Sequence, residues 1–584
     1  MKIIKKLDIL LNRKQKIQMF LLMIGMLVGA VLETFSIALV IPIVTLVITP
    51  ESFTENDMLV WMGNTLGFQE ATQLTVFVMI LLIIAFVVKN LFLFMQHKWF
   101  YHFIYTNQFD TSKRLMRYYV NKGYEFYLNA DTAVIQRNIT SDVNNMYSWI
   151  LSFLTVVSEG VVLVILGIVL IILDFWMSLT MIMVLTLTVL FVKAKLKPIL
   201  YQAGEENQHC YAGLFKCITQ TVTGIKEIKA MGRESYFIRA YDQCGKGFVD
   251  AVQKYSLYSN APRLLIETVV IAAMVSYMLF AVLSNQSMEA MIPTLSAFAL
   301  AGARLMPCAN RLSNQLNNMA YFEPFFMGIS DHLQEQIEAR GDEEGISSYG
   351  MQERVIEKLA LNKEISVKDI TYAYPNSYKN IFTKASMKIP VGSSVGVVGT
   401  SGAGKSTIID VLLGLLEIEE GSILADDVAI QSNYQGWLRN VGYIPQMIFM
   451  LDDTIRRNIA FGVVDDDINE EQVWHVLKEA QLDEFVRSLP EGLETTIGER
   501  GIRLSGGQRQ RIGIARALYE DPEVLILDEA TSALDDDTES AIMQSIHHLH
   551  GKKTLLIIAH RLQTIEKCDM VYRVESEKIQ IERG

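Results

Sequence analysis

Six apolar stretches, near residues 17–48, 74–96, 149–173, 175–192, 264–284 and 289–307, constrain this chain more than any other feature in it. Crossing a bilayer takes about 20 apolar residues, and each stretch is of that order. They predict an α-helical six-span transmembrane domain with both termini on one side. At 584 residues the chain also exceeds one ordinary domain, and 51% hydrophobic content is more than a wholly soluble chain carries, so a soluble domain should follow the membrane part. The expected division is 1–330 for the spans, 331–363 for a polar linker containing GDEEG at Gly341 to Gly345, and 364–584 for the soluble domain.

Charge distribution gives the orientation. Between Val47 and Gln73 stand Glu51, Glu55, Asp57 and Glu70 with no Lys or Arg, whereas Lys98 to Arg137 and Lys193 to Arg263 are rich in both. By the positive-inside rule the basic segments, both termini and the soluble domain are cytoplasmic, as expected of a multi-pass protein of the inner membrane. Lys2, Lys5, Lys6, Arg13, Lys14 and Lys16 precede an apolar run too long for a signal-peptide core, which is therefore read as the first span. The formal net charge of −12 argues against a nucleic-acid partner.

The cytoplasmic segments 98–148 and 193–262 keep helical apolar spacing past the membrane face and are read as two protruding helical extensions. Breaks at Gly123 to Asp131 and near Thr221 to Gly224 could each hold a short transverse helix that touches the soluble domain and couples the two mechanically. Asp57 to Phe68 carries Met58, Leu59, Trp61, Met62, Leu66 and Phe68 among polar residues, in the manner of a short interfacial helix or a packed loop. Five cysteines show neither a C-x-x-C pair nor zinc-ligand spacing and are read as reduced thiols; Cys210 and Cys217, seven apart on one helical face, are read as packing residues.

In the soluble domain, Gly399, Thr400, Ser401, Gly402, Ala403, Gly404, Lys405, Ser406 and Thr407 fit the phosphate-loop pattern G-x-x-x-x-G-K-[ST]. Val395 to Val398 before it reads as a buried strand and Ile408 to Leu416 after it as a helix, the context such a loop requires. Glycines there let backbone N–H groups close around phosphates at a helix N-terminus, Lys405 adds a charge for the β/γ oxygens, and Ser406 can ligate Mg²⁺. Val524 to Leu527 reads as a second buried strand ending in Asp528, placed to hold Mg²⁺, and Glu529, placed to orient or deprotonate the attacking water. Leu555 to Ala559 reads as a third, with His560 at its tip to contact the γ-phosphate.

Leu504, Ser505, Gly506, Gly507 and Gln508 resemble the signature of the ATP-binding cassette (ABC) superfamily. The resemblance is reinforced by Gln446 in YIPQ, SALD at Ser532 to Asp535, His560, and the aromatic Tyr374 upstream of Gly399, all in the family's order. It covers the chain from about Glu364 onward and implies an α/β P-loop nucleotide-binding domain, in which Tyr374 stacks on adenine and Gln446 senses Mg²⁺. It further implies that Ser505, Gly506, Gly507 and Gln508 of one subunit face the phosphate loop of another across ATP. One loop and one signature then point to a half-transporter working as a homodimer with two hydrolysing sites, an ATP hydrolase coupled to transport.

Six spans before one cassette, with long cytoplasmic extensions, resemble the exporter branch. Two stretches, ETFSIALVIPIVTL at Glu33 to Leu46 and ARLMPCANRLSN at Ala303 to Asn314, are similar to the lipid-linked oligosaccharide flippases of bacterial protein N-glycosylation. That resemblance implies a polyprenyl-pyrophosphate-linked glycan as cargo, with a lipid A, drug or peptide exporter as the alternative. No cysteine-protease domain precedes the first span, which counts against a processing peptide exporter. Burying charge in a bilayer is costly, so such a cargo needs a basic route across it. Arg263, Arg304 and Arg311 are the candidates, with Asn310, Asn314, Asn317 and Asn318 nearby and Glu33 or Glu267 as candidate partners for the arginines. Anchoring at the cytoplasmic ends of spans explains the same arginines equally simply.

Overall fold

The computed structural model describes residues 2–38, 71–173, 175–283, 288–339, 357–375, 377–528, 546, 549–558 and 565–583; side chains of 34–38 and 288–304 are among those outside it. The segment Asp57 to Phe68 falls outside the described residues. By contacts the chain forms two units, one of 1–122 with 130–344 and one of 123–129 with 345–584.

The first unit is helical. Its elements are α1 (Lys2–Leu10), α2 (Arg13–Ala38) and α3 (Ala71–Val120). After α4 (Tyr124–Asn129), which groups with the other unit, come α5 (Thr132–Arg137), a π turn (Asn138–Asp142) and α6 (Val143–Leu173). Then follow α7 (Phe175–Thr223), α8 (Ile225–Met231), α9 (Glu234–Leu283) and α10 (Met288–Ala339). At 1.5 Å per residue a 50-residue helix such as α3 is about 75 Å long, more than twice the roughly 30 Å of a hydrocarbon core. The excess length is the helical extension read from the sequence. Among the described residues four helical stretches are long and apolar enough to cross a membrane: Arg13–Glu33, Thr72–Val120, Thr132–Ile168 and Ser178–Thr223. The expected fifth and sixth spans fall on α9 and α10.

Both predicted breaks are present and have local causes. Asp131 caps α5 by accepting from the backbone N–H of Ala133, so the chain re-enters a helix immediately after α4. The helix α8 is closed by Gly232 in the left-handed conformation that glycine adopts without penalty. The extensions are then held by packing. Trp149, 1% exposed, stacks on Phe326 and Phe153, with Leu7, Leu10, Tyr119, Met146 and Leu333 around them. The helix α10 runs on through Leu333 to Ala339, so the first part of the expected linker is helical and partly core. Where α7 crosses α10, a Cβ on Gly204 would stand 2.1 Å from the carbonyl oxygen of Tyr321, so only glycine allows that approach. Cys210 packs where a Gly247 side chain would be, and Cys217 Sγ lies 3.9 Å from Cys244 Sγ between α7 and α9. All five cysteines are free thiols.

A buried polar knot sits at the π turn. Arg137 Nε donates to Asp142 at 3.0 Å, Gln208 Nε2 donates to the same carboxylate at 2.8 Å, and Arg137 Nη1 donates to the Gln208 carbonyl at 2.9 Å. Asn138 Nδ2 donates to the Tyr119 hydroxyl at 2.8 Å. The knot joins α3, α5, the π turn and α7, pairing a guanidinium with a buried carboxylate whose Oδ1 has no hydrogen-bond partner among the described residues.

The second unit carries two sheets. One is antiparallel in the order β2-β1-β4-β5, from β1 (Glu364–Ala373), β2 (Asn380–Pro390), β4 (Glu420–Ala425) and β5 (Val428–Ala429). The other has the order β10-β9-β3-β8-β7-β6, with β3 (Ser394–Val398), β6 (Val441–Ile444), β7 (Val524–Asp528), β8 (Thr554–Ile558), β9 (Met570–Glu575) and β10 (Lys578–Arg583). From β6 to β9 neighbours run parallel. Strands β7 and β8 are buried at every residue, the pattern of a sheet covered on both faces, whereas β2 alternates.

Candidate nucleotide site and its comparisons

The site is built where parallel strands end. Strand β3 delivers the loop Gly399–Gly404, and α11 (Lys405–Leu412) starts directly after it, ending four residues before the predicted Leu416 because Gly414 turns at φ +69°. Gly402 and Gly404 have φ of +78° and +104°, and a Cβ on Gly399 would lie 2.5 Å from the Val574 carbonyl oxygen. The loop therefore holds a backbone shape that side chains would destroy, at the N-terminus of α11, where backbone N–H groups favour an anion.

Lys405 is buried and donates to the carbonyls of Gly399 at 3.0 Å and Thr400 at 3.1 Å, so its ammonium is already folded over the loop. Ser406 Oγ donates to Asp528 Oδ1 at 3.4 Å, linking the helix start to the end of β7. Two hard oxygen donors from different elements thus meet beside the phosphate cradle, and the donor set fits a Mg²⁺ ion. Gln446 follows β6, the strand that pairs with β7, which brings it to the same sheet end. The Tyr374 hydroxyl is hydrogen-bonded at 2.9 Å to Thr407 Oγ1, and its ring meets Tyr372 edge-on, so the aromatic is anchored to the loop helix.

Ser505 is the N-cap of α16, if the short helices α12 (Tyr434–Leu438), α13 (Ile455–Ile459), α14 (Glu470–Glu479) and α15 (Asp483–Ser488) are counted and α16 is Gly506–Leu518. Ser505 Oγ accepts from the Gln508 backbone N–H at 3.2 Å and Gln508 Oε1 accepts from the Ser505 N–H at 2.8 Å, a reciprocal capping box. Ser505 and Gly506 are exposed and Gly507 and Gln508 half-exposed, and among the described residues no hydrogen bond joins them to the phosphate loop. Glu529, His560 and Ser532 to Asp535 lie outside the described residues.

Two functional groups escaped the sequence reading. Asp410, on α11, is half-buried, and burial first and the Asp528 carboxylate second push its carboxyl up to about 6. The same carboxylates, after burial, raise the Tyr443 hydroxyl. Glu125 on α4 accepts the backbone N–H of Glu417 at 3.1 Å and lines a groove with Tyr374, Pro375 and Ser377. The first predicted break thus does supply a helix to the nucleotide unit, next to the aromatic of the site. Only a lone acid inside the apolar run IIDVLLGLL signalled Asp410, and nothing local signalled Glu125.

In the first unit, Arg311 forms a bidentate pair with Glu159 of α6, Nε to Oε1 at 2.7 Å and Nη2 to Oε2 at 3.1 Å. Its direct partner is thus neither Glu33 nor Glu267, although Glu33 adds to its field. Arg263 is exposed on α9, and the side chain of Arg304 falls outside the described residues.

Residues 382–532 match the ABC transporter family and residues 17–303 its transmembrane region. Over 225 residues the chain is 42% identical to an ATP-dependent lipid A-core flippase of Vibrio cholerae, and over 232 residues 41% identical to that of Escherichia coli K12. Over 221 residues it is 41% identical to an uncharacterized ABC transporter ATP-binding protein, YwjA, of Bacillus subtilis. These matches cover 38–40% of this chain and only 38–39% of the relatives' own length. The solved structure of a bacterial Atm1-family ABC exporter with ATP bound superposes with a TM-score of 0.75 at 21% identity, covering 97% of this chain and 94% of that one. Transmembrane region, cassette motifs and whole-chain fold agree, and the chain belongs to the ABC transporters as a half-transporter of exporter fold, with a transmembrane region and an ABC cassette on a single polypeptide.

Proposed function

We propose that this chain acts as a homodimeric, ATP-driven exporter that moves an anionic lipid from the cytoplasmic to the outer leaflet of the inner membrane, the cargo being a polyprenyl-pyrophosphate-linked oligosaccharide or a similar glycolipid. The observation that carries the reading is Arg311. A half-exposed guanidinium on α10, held as a fork by Glu159 of α6, is matched to a two-oxygen anion.

The cassette supplies the drive. Loop amides and Lys405 take the phosphates, Tyr374 takes the adenine, and Ser406, Gln446 and Asp528 hold Mg²⁺. The metal, when bound, neutralises charge on the phosphate oxygens. Glu529 orients and deprotonates the water, His560 steadies the γ-phosphate, and Ser505 to Gln508 of the partner subunit close the site from the other side. Closure is transmitted through α4, whose Glu125 and Tyr124 abut the region of Tyr374.

A lipid A carrier is the second reading, favoured by the two relatives of that name. Their matched stretch has the length of the cassette, which does not contact cargo, so it leaves the headgroup open. Reconstitution decides between them. ATP-dependent flipping of a fluorescent polyprenyl-pyrophosphate lipid in proteoliposomes is the expected result, and transport of lipid A with no movement of the pyrophosphate lipid would replace the first reading by the second.

A further inference from the structure

The proposed cargo arginine is occupied by the protein itself. Glu159 takes the Nε and Nη2 edge of Arg311, the edge an anion with two oxygens would take, and Nη2 also reaches Cys308 Sγ at 3.4 Å. Glu159 is 13% exposed and Arg311 50% exposed, so the carboxylate is anchored in the bundle while the guanidinium stands at its open side. The setting is intimate: Ala30 of α2, Val162 of α6 and Leu305, Cys308 and Ala309 of α10 form one buried cluster beside the pair, and Glu33 contributes a second negative charge. Immediately before Arg311 and three residues after it, Asn310 Oδ1 and Asn314 Oδ1 are buried with no partner among the described residues, so this part of α10 carries hydrogen-bonding capacity that the described structure does not use. A topology anchor has no need of either feature.

We propose that Glu159 is an internal competitor for the anionic group of the cargo at Arg311: the cargo diphosphate displaces the carboxylate to bind, and the carboxylate reclaims the fork to expel it. Glu159 is thus a specificity and release residue, and this inference rests on the reading of Arg311 as a cargo contact. The chemistry favours exchange over simple addition. Carboxylate and phosphate present the same pair of acceptors to guanidinium, and a diphosphate carries more charge, so it wins when near and loses when the cavity turns outward and water competes. A neutral lipid has nothing to offer in place of Glu159 and leaves the pair closed.

The test uses the full-length dimer in nanodiscs with farnesyl diphosphate as probe, reading stimulation of ATPase against each variant's own basal rate. Glu159→Gln should lower the half-saturating concentration by about tenfold while reducing the maximal stimulated rate, the split expected when a competitor of binding is also the agent of release. Arg311→Gln should abolish saturation in the same range, and the double variant should behave as Arg311→Gln alone. An unchanged half-saturation in Glu159→Gln, with only a lower unfolding temperature, would reduce the pair to a structural strut and overturn the inference while leaving the cargo reading intact. No response of the wild type or of Glu159→Gln to farnesyl diphosphate would overturn both. Should Glu159→Gln not assemble, Glu159→Asp keeps the charge on a shorter arm and should give an intermediate half-saturation; a value equal to wild type counts against the proposal.

Discussion

The phosphate loop and the Arg311 fork both offer nitrogen donors to a phosphate, yet they are made in opposite ways. The loop draws its donors from backbone amides whose shape is set by Gly399, Gly402 and Gly404, and among the described residues no side chain takes them. The fork is one side chain, and a carboxylate 152 residues away along the chain already satisfies it. A backbone site is pre-organised and binds on arrival; a paired side-chain site has two arrangements and can be switched between them. On the proposed reading, power and cargo are handled by different kinds of chemistry, one fixed and one exchangeable.

The sharpest break of this comparison falls on the fixed side. Glu529→Gln keeps the size of the side chain and removes the carboxylate proposed to act on the attacking water, so turnover should fall by about 10²–10⁴-fold while ATP still binds and holds the dimer closed. Wild-type phosphate release from that variant would remove Glu529 from its role. On the exchangeable side, replacing Arg304 and Arg311 together with Gln should lower flipping of a pyrophosphate-linked lipid by at least about tenfold relative to ATPase on the same preparation. Replacement by Lys should restore only part, because ammonium is a compact charge without the planar fork. Flipping at the wild-type ratio in the double Gln variant would return both arginines to the role of anchors.

The same contrast explains what could be read in advance. Strand β3, the loop, the helix after it and Asp528 at the end of β7 are local patterns, a buried apolar run followed by residues whose chemistry depends on immediate neighbours; the strands fall within a residue of expectation, and α11 starts three residues before the expected Ile408. Ser505 and Gln508 are legible as part of a family signature, and the structure adds that they form the capping box of α16. Glu159 is not legible, since one acid in an apolar span says that a partner exists without saying which, and Glu33 and Glu267 were as eligible by sequence. Glu125 is harder still: its contact with Glu417 spans 292 residues and ends on a backbone N–H, which carries no residue-type signal at all. Sequence reveals donors; only the fold assigns their acceptors.

Subunit mixing probes the fixed site from across the dimer. If each site pairs one chain's loop with the other's signature, as proposed, Lys405→Ala and Ser505→Arg each disable both composite sites of a homodimer, but a heterodimer concentrates both lesions in one site and leaves the other whole. Random mixing puts half the chains in heterodimers with one of two sites intact, so about a quarter of wild-type ATPase should return. A mixture as inactive as its parents, with heterodimers proven by crosslinking Ser401 to Ser505, would show that the sites fire only together.

The smallest expected effect concerns Asp410, the one group in which the fixed site works against itself. Its carboxyl is pushed from 3.8 up to about 6 by burial and by Asp528, so folding favours its protonated form. Below pH 4 folded and unfolded chains both hold the proton and the full contribution is present; between pH 4 and 6 the unfolded chain loses it first, so stability falls as pH rises, and above pH 6 the loss is complete. A shift of this size corresponds to about 3 kcal/mol at most, and the side chain's partial exposure brings the expected cost nearer 1 kcal/mol. Asp410→Asn keeps the shape and deletes the charge, so at pH 8, without nucleotide, the variant should unfold about 2–4 °C higher than wild type. At pH 5 the gap should shrink, because wild type regains its proton there while the amide is indifferent. A gap of equal size at both pH values would mean that Asn packs better and that charge repulsion with Asp528 plays no part. A gap that vanishes toward pH 5 identifies Asp410 as a carboxylate kept close to Asp528 at a cost in stability, which places the second acid of the nucleotide site on the helix that the phosphate loop begins.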